Sequence, residues 1–169
     1  PEVRSALIPG FASLLRTMPG LAVELYKGAS EEEVRVRIVS EMREADAEPA
    51  SRVLTLAFAD KSWQIRETAA AIAGYRPRID PKNLEPLLRD GEPRVRAMSA
   101  RSLGWLGSKM SFEALVSCLE DSDNSVRLQA LTALKRLDVK RLQGLPIVRT
   151  LENDRDPRVS GVAKRVMNP

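Results

Sequence analysis

The chain repeats itself about every 31 residues. An apolar residue that opens a helix recurs at Val3, Val34, Ile65, Val95, Val126 and Val159, in steps of 31, 31, 30, 31 and 33 residues. In the clearest copy Asp121 is followed by Val126-Arg127, Ala130, Ala133-Leu134 and Leu137. A fixed period of this size builds a stacked array, because each unit can bury its apolar face only against its neighbours. It argues against a globule with one central core.

Within each period the apolar residues follow helical spacing twice, so a unit reads helix A, turn, helix B. The pattern places A helices near 20–28, 49–59, 81–89, 110–120 and 143–153. It places B helices near 2–16, 31–45, 62–75, 93–107, 124–137 and 157–167. Core residues are expected four, seven, eight and eleven places after each alignment residue. Pro93 and Pro157 fall where a first helical turn tolerates a missing N–H. Asp123, Asp156 and Ser62 read as N-caps, and Ser30 with Glu33 as a capping box. Gly74, Gly104 and Gly107 fall in or near B-helix ends, where glycine suits a C-cap. The longest connector, about Asp138 to Gln143, absorbs the two extra residues of the last step. The fold expected is all-α, a right-handed α-solenoid of about five to six helix pairs forming one continuous domain over residues 1–169. Pro1-Glu2-Val3-Arg4 already stand at the start of a B helix, which predicts a piece cut from a longer protein.

Asp60 with Arg66, Asp90 with Arg96 and Asp121 with Arg127 recur six residues apart, flanking the turn into helix B. With this motif the pattern resembles the HEAT repeat, and in its short period the HEAT-like repeats of the phycobilin lyase type, over nearly the whole chain. The resemblance implies that these Asp and Arg residues form a polar ladder between stacked units rather than an active site. A carboxylate near a helix N-terminus meets exposed amides and the positive end of the dipole, and an adjacent Arg can bridge to it. The motif lapses where Ala29 precedes Arg35 and where Ser160 follows Asp154, so those units are expected to be looser or differently paired. The family also includes metal-dependent hydroxylases built on repeated His-Glu pairs, bilin lyases and DNA glycosylases.

Residue chemistry narrows these options. The chain has no His, which removes His-based acid–base work, His metal ligands and His-containing triads. The carboxylates do not cluster at metal-ligand spacing. No catalytic, cofactor-binding or metal-binding residue is assigned, and the reading is of a non-enzymatic chain with no cofactor. The single Cys118 cannot form an internal disulfide and occupies a core position of helix A, so it reads as a buried structural thiol. No apolar run reaches the roughly 18 residues that would suggest a bilayer span. With neither disulfide nor secretion signal, the expected compartment is the cytoplasm.

What remains is surface. Ten residues after the alignment position, two successive units carry an aromatic ring, Tyr75 and Trp105. The next unit carries Arg136 there, and Arg76 and Arg101 lie close by. Aromatic residues with Arg are the composition enriched at binding hot spots. The competing role for Tyr75 and Trp105 is to close gaps between units. Trp63 stands at the other end of its helix, where other copies carry Pro or Asn. A second candidate is an apolar ridge of Ile8, Val39, Ala70, Ala100 and Leu131, flanked by Val36, Ala97 and Leu128. Helix packing would use the same residues. Charge is uneven: residues 1–75 hold 9 Lys/Arg and 11 Asp/Glu, and residues 76–169 hold 18 and 12.

These features predict a scaffold or protein-interaction module. Its partner site is expected at Tyr75, Arg101, Trp105 and Arg136, and its partner is a mixed apolar and acidic segment. Nucleic acid held by the basic C-terminal half is the alternative. A lyase- or glycosylase-type enzyme is the third, weaker reading.

Overall fold

The computed structural model describes residues 13, 15, 17–76 and 78–168. Val3 and Ile8, and all but Ser13 and Leu15 of the stretch expected as helix over 2–16, lie outside the described residues. The described residues form helices and turns with no strand. By its contacts the chain divides into two compact units, Pro1–Ile79 and Asp80–Pro169.

The first unit contains α1 (Pro19–Gly28), α2 (Glu32–Glu41), α3 (Ala47–Ala57) and α4 (Trp63–Ala73). A helices pack on A helices and B helices on B helices: α1 meets α3, and α2 meets α4. Short turns bring each A helix against its own B helix. Ile38, Met42 and Ala45 of one B-helix segment, and Ala69, Ile72 and Ala73 of the next, are buried. These are core places that the repeat assigns. Val39 and Ala70, candidates for an apolar ridge, are wholly buried, as are Ala100 and Leu131 in the second unit. That ridge is packing, because a B helix must cover its own A helix and its neighbours.

The second unit contains α5 (Pro93–Leu106), α6 (Phe112–Ser117), α7 (Asn124–Gln143), α8 (Pro146–Leu151) and α9 (Pro157–Met167). The central B helix, α7, packs against both α5 and α9. Val126, Ala130, Ala133, Leu134 and Leu137 are all buried, as the clearest copy of the repeat requires. Cys118 is buried, and that burial pushes its thiol pKa up.

Local chemistry departs from expectation in several places. The A helix expected over 81–89 is two 3₁₀ turns, Pro81–Asn83 and Glu85–Arg89. Pro86 cannot supply the amide that an α-helix needs there, and its ring crowds the preceding turn. The Asp138–Gln143 connector is helical: Asp138 leaves helical geometry (φ −162°, ψ 93°) and α7 resumes beyond this kink. The Asp138 carboxylate accepts the Arg141 N–H at 3.0 Å, which restarts the helix after the break. Asp123 and Asp156 cap α7 and α9 as expected. Ser62 stands at the N-cap of α4, but its hydroxyl donates to Glu32 Oε1 at 2.8 Å rather than capping. The Ser30–Glu33 capping box does not form, because α2 begins one residue later with Glu31 at its N-cap. Gly107 ends α5 in the left-handed conformation (φ 69°), Gly74 ends α4 in ordinary helical geometry, and Gly104 lies inside α5.

The polar ladder joins consecutive repeats within each unit. In the first, Arg35 Nε donates to Asp60 Oδ2 at 2.8 Å, and both side chains are buried. In the second, Arg96 grips Asp121 and Arg127 grips Asp154, each through Nε and Nη2 in a two-pronged bond. Each Arg also donates through Nη1 to the carbonyl of the residue six places before it, which is Asp90 for Arg96 and Asp121 for Arg127. The carboxylate therefore serves the Arg of the preceding repeat, and the nearer Arg takes only its backbone carbonyl. This arrangement removes the expected penalty at Ala29, whose carbonyl receives Arg35 at 3.1 Å. It also leaves Asp154 fully paired although Ser160 stands where the next Arg would be.

Ser99 and Ser102 of α5 are wholly buried, and their hydroxyls find no hydrogen-bond partner among the described residues. A buried polar group left unsatisfied costs about 1–3 kcal/mol, and alanine is also the better helix former. Ser102→Ala is therefore expected to stabilise the chain by about 1 kcal/mol. A fall in the urea midpoint would mean that the hydroxyl has a partner.

Candidate interaction site

In the second unit, α5 and α7 leave a groove of about 430 Å³ between their exposed faces. Arg101 and Trp105 lie one helical turn apart on α5, so their side chains share a face. The Arg101 guanidinium sits over the Trp105 ring, 4.1 Å from its centre. That stacking is a cation–π contact, which holds the cation in place while leaving its N–H edge available. From α7, the facing wall carries Gln129, Thr132, Lys135 and Arg136, and Gly104 with Ala133 completes the lining. Arg101 and Arg136 are exposed, and Trp105 is half-buried.

Three cations converge on this groove, and among the described residues no carboxylate lines it. Lys135 and Arg136 form no ion pair among the described residues. Several other Arg side chains of the unit are engaged. Arg96 and Arg127 belong to the ladder, and Arg141 pairs with Glu113 while stacking over Phe112. The groove is thus a local concentration of available positive charge beside an aromatic ring. Such a site suits an anionic group carried next to an apolar one.

Of the four residues singled out by sequence, Arg101, Trp105 and Arg136 line this one groove. Tyr75 belongs to the first unit, just beyond α4, and is 64% exposed. Arg76, its neighbour, is structural, because its Nη2 donates to the carbonyls of Met42 and Ala45 and so ties the α2–α3 connection to the end of α4. Trp63 is half-buried at the start of α4. Sequence reasoning misses Gly104, Gln129, Thr132 and Lys135. Their signal is spatial, since only the pairing of α5 with α7 brings them together. The small residues Gly104 and Ala133 are the one hint, because they permit the two helices to approach closely.

The sequence model of HEAT repeats matches residues 81–168, more than half of the chain. The chain belongs to the HEAT-repeat family. No curated protein matches it significantly. Among solved structures, this HEAT array is similar to a chain of the complex of CpcE and CpcF of phycocyanin lyase from Nostoc sp. PCC7120, with a TM-score of 0.72 and 20% identity. That match covers 89% of this chain and 64% of the other, so the chain spans less than two thirds of that relative's length. It is also similar to computationally designed armadillo repeat proteins for modular peptide recognition (TM-score 0.65, 15% identity, 98% of this chain and 84% of that one). A designed armadillo repeat protein in complex with the peptide (KR)4 aligns with a TM-score of 0.60 and 15% identity, covering 99% and 86%. At such identities the likeness concerns the fold: an all-α solenoid of HEAT and armadillo type. Among the described residues no helix is long and apolar enough to cross a membrane.

Proposed function

We propose that this HEAT array is a non-enzymatic protein-interaction module, and that its partner engages the B-helix face around Arg101, Trp105 and Arg136. The observation that carries this reading is the groove between α5 and α7, where three cations and a tryptophan converge and, among the described residues, no carboxylate intervenes. Trp supplies rigid contact area, and Arg supplies a planar set of donors suited to carboxylates. The partner segment is accordingly mixed apolar and acidic. The solved relatives support a protein partner, since one is a two-protein complex and others are designed for peptide recognition.

Site-directed photo-cross-linking tests this reading. A photoreactive amino acid at Thr132 on the groove wall should capture a protein from extracts of the source cells. The same probe at Thr55, exposed on α3, should not capture that protein. Arg101→Glu with Arg136→Glu should abolish the capture while the helical circular dichroism signal is retained. Capture that persists in the charge-reversed chain, or capture of nucleic acid alone, would refute the assignment.

A further inference from the structure

We infer that the α5–α7 groove binds an extended peptide segment whose two acidic side chains are adjacent in sequence. The inference rests on the interaction reading above and gives its partner a conformation and a charge pattern.

The first argument is charge complementarity. Arg101 stands on one wall of the groove, and Lys135 and Arg136 stand on the other. An occupant must present anionic groups to both walls. In an extended chain successive side chains point to opposite sides, so residues i and i+1 meet opposite walls at once. In a helix, neighbours that share a face are three or four residues apart, so an adjacent acidic pair would splay.

The second argument is space. A helix with its side chains is about 10–12 Å across. Here α5 and α7 approach so closely that a Cβ on Gly104 would lie 2.7 Å from Ala133 Cβ. The groove is therefore a furrow above two touching helices. Its volume of about 430 Å³ lies near the lower end of the roughly 300–1,000 Å³ typical of compact ligand sites. That accommodates a few extended residues.

The third argument is hydrogen bonding. An extended segment leaves its main-chain groups unpaired, and they need partners when covered. Gln129 and Thr132 line the furrow and supply an amide and a hydroxyl for them. The exposed part of the Trp105 ring offers a platform for an apolar residue next to the acidic pair.

The positive charge is local, which favours a short peptide over a polynucleotide. Asp123 at the start of α7 and Asp138 at its kink put carboxylates at either end of the stretch that carries Lys135 and Arg136. A phosphate backbone needs a longer uninterrupted cationic track.

The probe is fluorescein-Gly-Glu-Asp-Phe-Gly-amide, titrated into the whole chain carrying Trp63→Phe so that Trp105 alone reports. Controls are the Gln-Asn version of the peptide, an acidic peptide of the same charge held helical by a side-chain lactam, and a twelve-residue oligothymidylate. Binding of the linear acidic peptide should raise anisotropy and change Trp105 emission. It should weaken at least roughly tenfold with the Gln-Asn peptide and again in Arg136→Glu, since loss of one charge-assisted hydrogen bond corresponds to about that factor.

Equal binding of the neutral peptide, tighter binding of the helical one, or no binding of the linear peptide to the folded chain would overturn the inference. Binding of oligothymidylate alone would assign the groove to phosphate instead. If the peptide fails while charge-dependent cross-linking from Thr132 persists, the extended acidic partner is wrong and the interaction site stands. If both fail, the site itself is wrong.

Discussion

Replacing Asp60 with alanine should destabilise the first unit by about 3–5 kcal/mol, the loss typical when one partner of a buried ion pair is removed. Its Oδ2 receives Arg35 Nε at 2.8 Å and the Tyr26 hydroxyl at 2.5 Å, and its Oδ1 receives the Ser62 N–H at 2.9 Å. Arg35 is 7% exposed and Asp60 6% at the side chain, so losing the carboxylate would leave the Arg35 charge largely desolvated without its counter-ion. Tyr26→Phe removes one bond to a charged group and should cost less, about 1.5–3 kcal/mol. Each unit contains one Trp, at 63 and 105. Urea unfolding followed by Trp63 emission in a Trp105→Phe background therefore reports the first unit. A change below about 1 kcal/mol, the range of a solvent-exposed pair, would show that Asp60 does not hold the seam.

The same group predicts a pH dependence. Burial raises the Asp60 pKa, but hydrogen bonds from Arg35, Tyr26 and the Ser62 amide outweigh it and hold the carboxyl below its ordinary value. Asp121 is held down in the same way by Arg96 and the Asp123 amide, against its own desolvation. For Asp154 the bond from Arg127 is the main cause of the lowering. A carboxylate whose pKa is depressed by folding contributes stability that is fully present above its unfolded value, near 3.9. That contribution is lost as the pH falls from there through the folded value. The urea midpoint should therefore hold from neutral pH down to about pH 5 and fall below about pH 4. In Asp60→Ala the acid-dependent part of the first unit's transition should shrink.

The architecture is legible in the sequence because the period and the helical spacing are both local properties of the chain. Ala130, Ala133, Leu134 and Leu137 recur at core places whatever the helix packs against, and all are buried. The ladder is legible in its members and not in its pairing. Sequence sets Asp121 beside Arg127, six residues on, but the carboxylate of Asp121 belongs to Arg96, one helix pair earlier. Only stacking brings that pair together. The 3₁₀ turns at 81–89 follow from Pro86, whose effect outweighs a helical apolar spacing. At the site, Trp105 and Arg136 are visible because they share one repeat position, and Arg101 because it lies close to Trp105 on the same helix. Gln129, Thr132 and Lys135 depend on the register between α5 and α7, which the sequence does not print. Tyr75 matches Trp105 by repeat position, yet the two lie in different compact units.

Gly104→Ala should destabilise the second unit although it replaces the poorer helix former with the best one. In a helix interior the exchange alone would stabilise by about 0.5–1 kcal/mol. Here the added methyl would lie 2.7 Å from Ala133 Cβ and 2.8 Å from its Cα. A backbone neighbour cannot rotate away, so α5 and α7 must separate. Forcing extra methyl groups into a packed core typically costs about 1–3 kcal/mol, occasionally more, which outweighs the propensity gain. The expected net loss is about 1–2 kcal/mol, read from Trp105 emission in a Trp63→Phe background. Gly104→Val should cost more, since its two further methyl groups enter the same contact. Ala133→Gly in the Gly104→Ala chain should recover part of the loss, because it removes the nearer of the two clashing atoms. Both residues line the furrow, so the single variant should also weaken binding of the acidic peptide. A Gly104→Ala chain as stable as the parent would mean that the two helices do not approach as closely as the structure has them, and the floor of the groove would have to be redrawn.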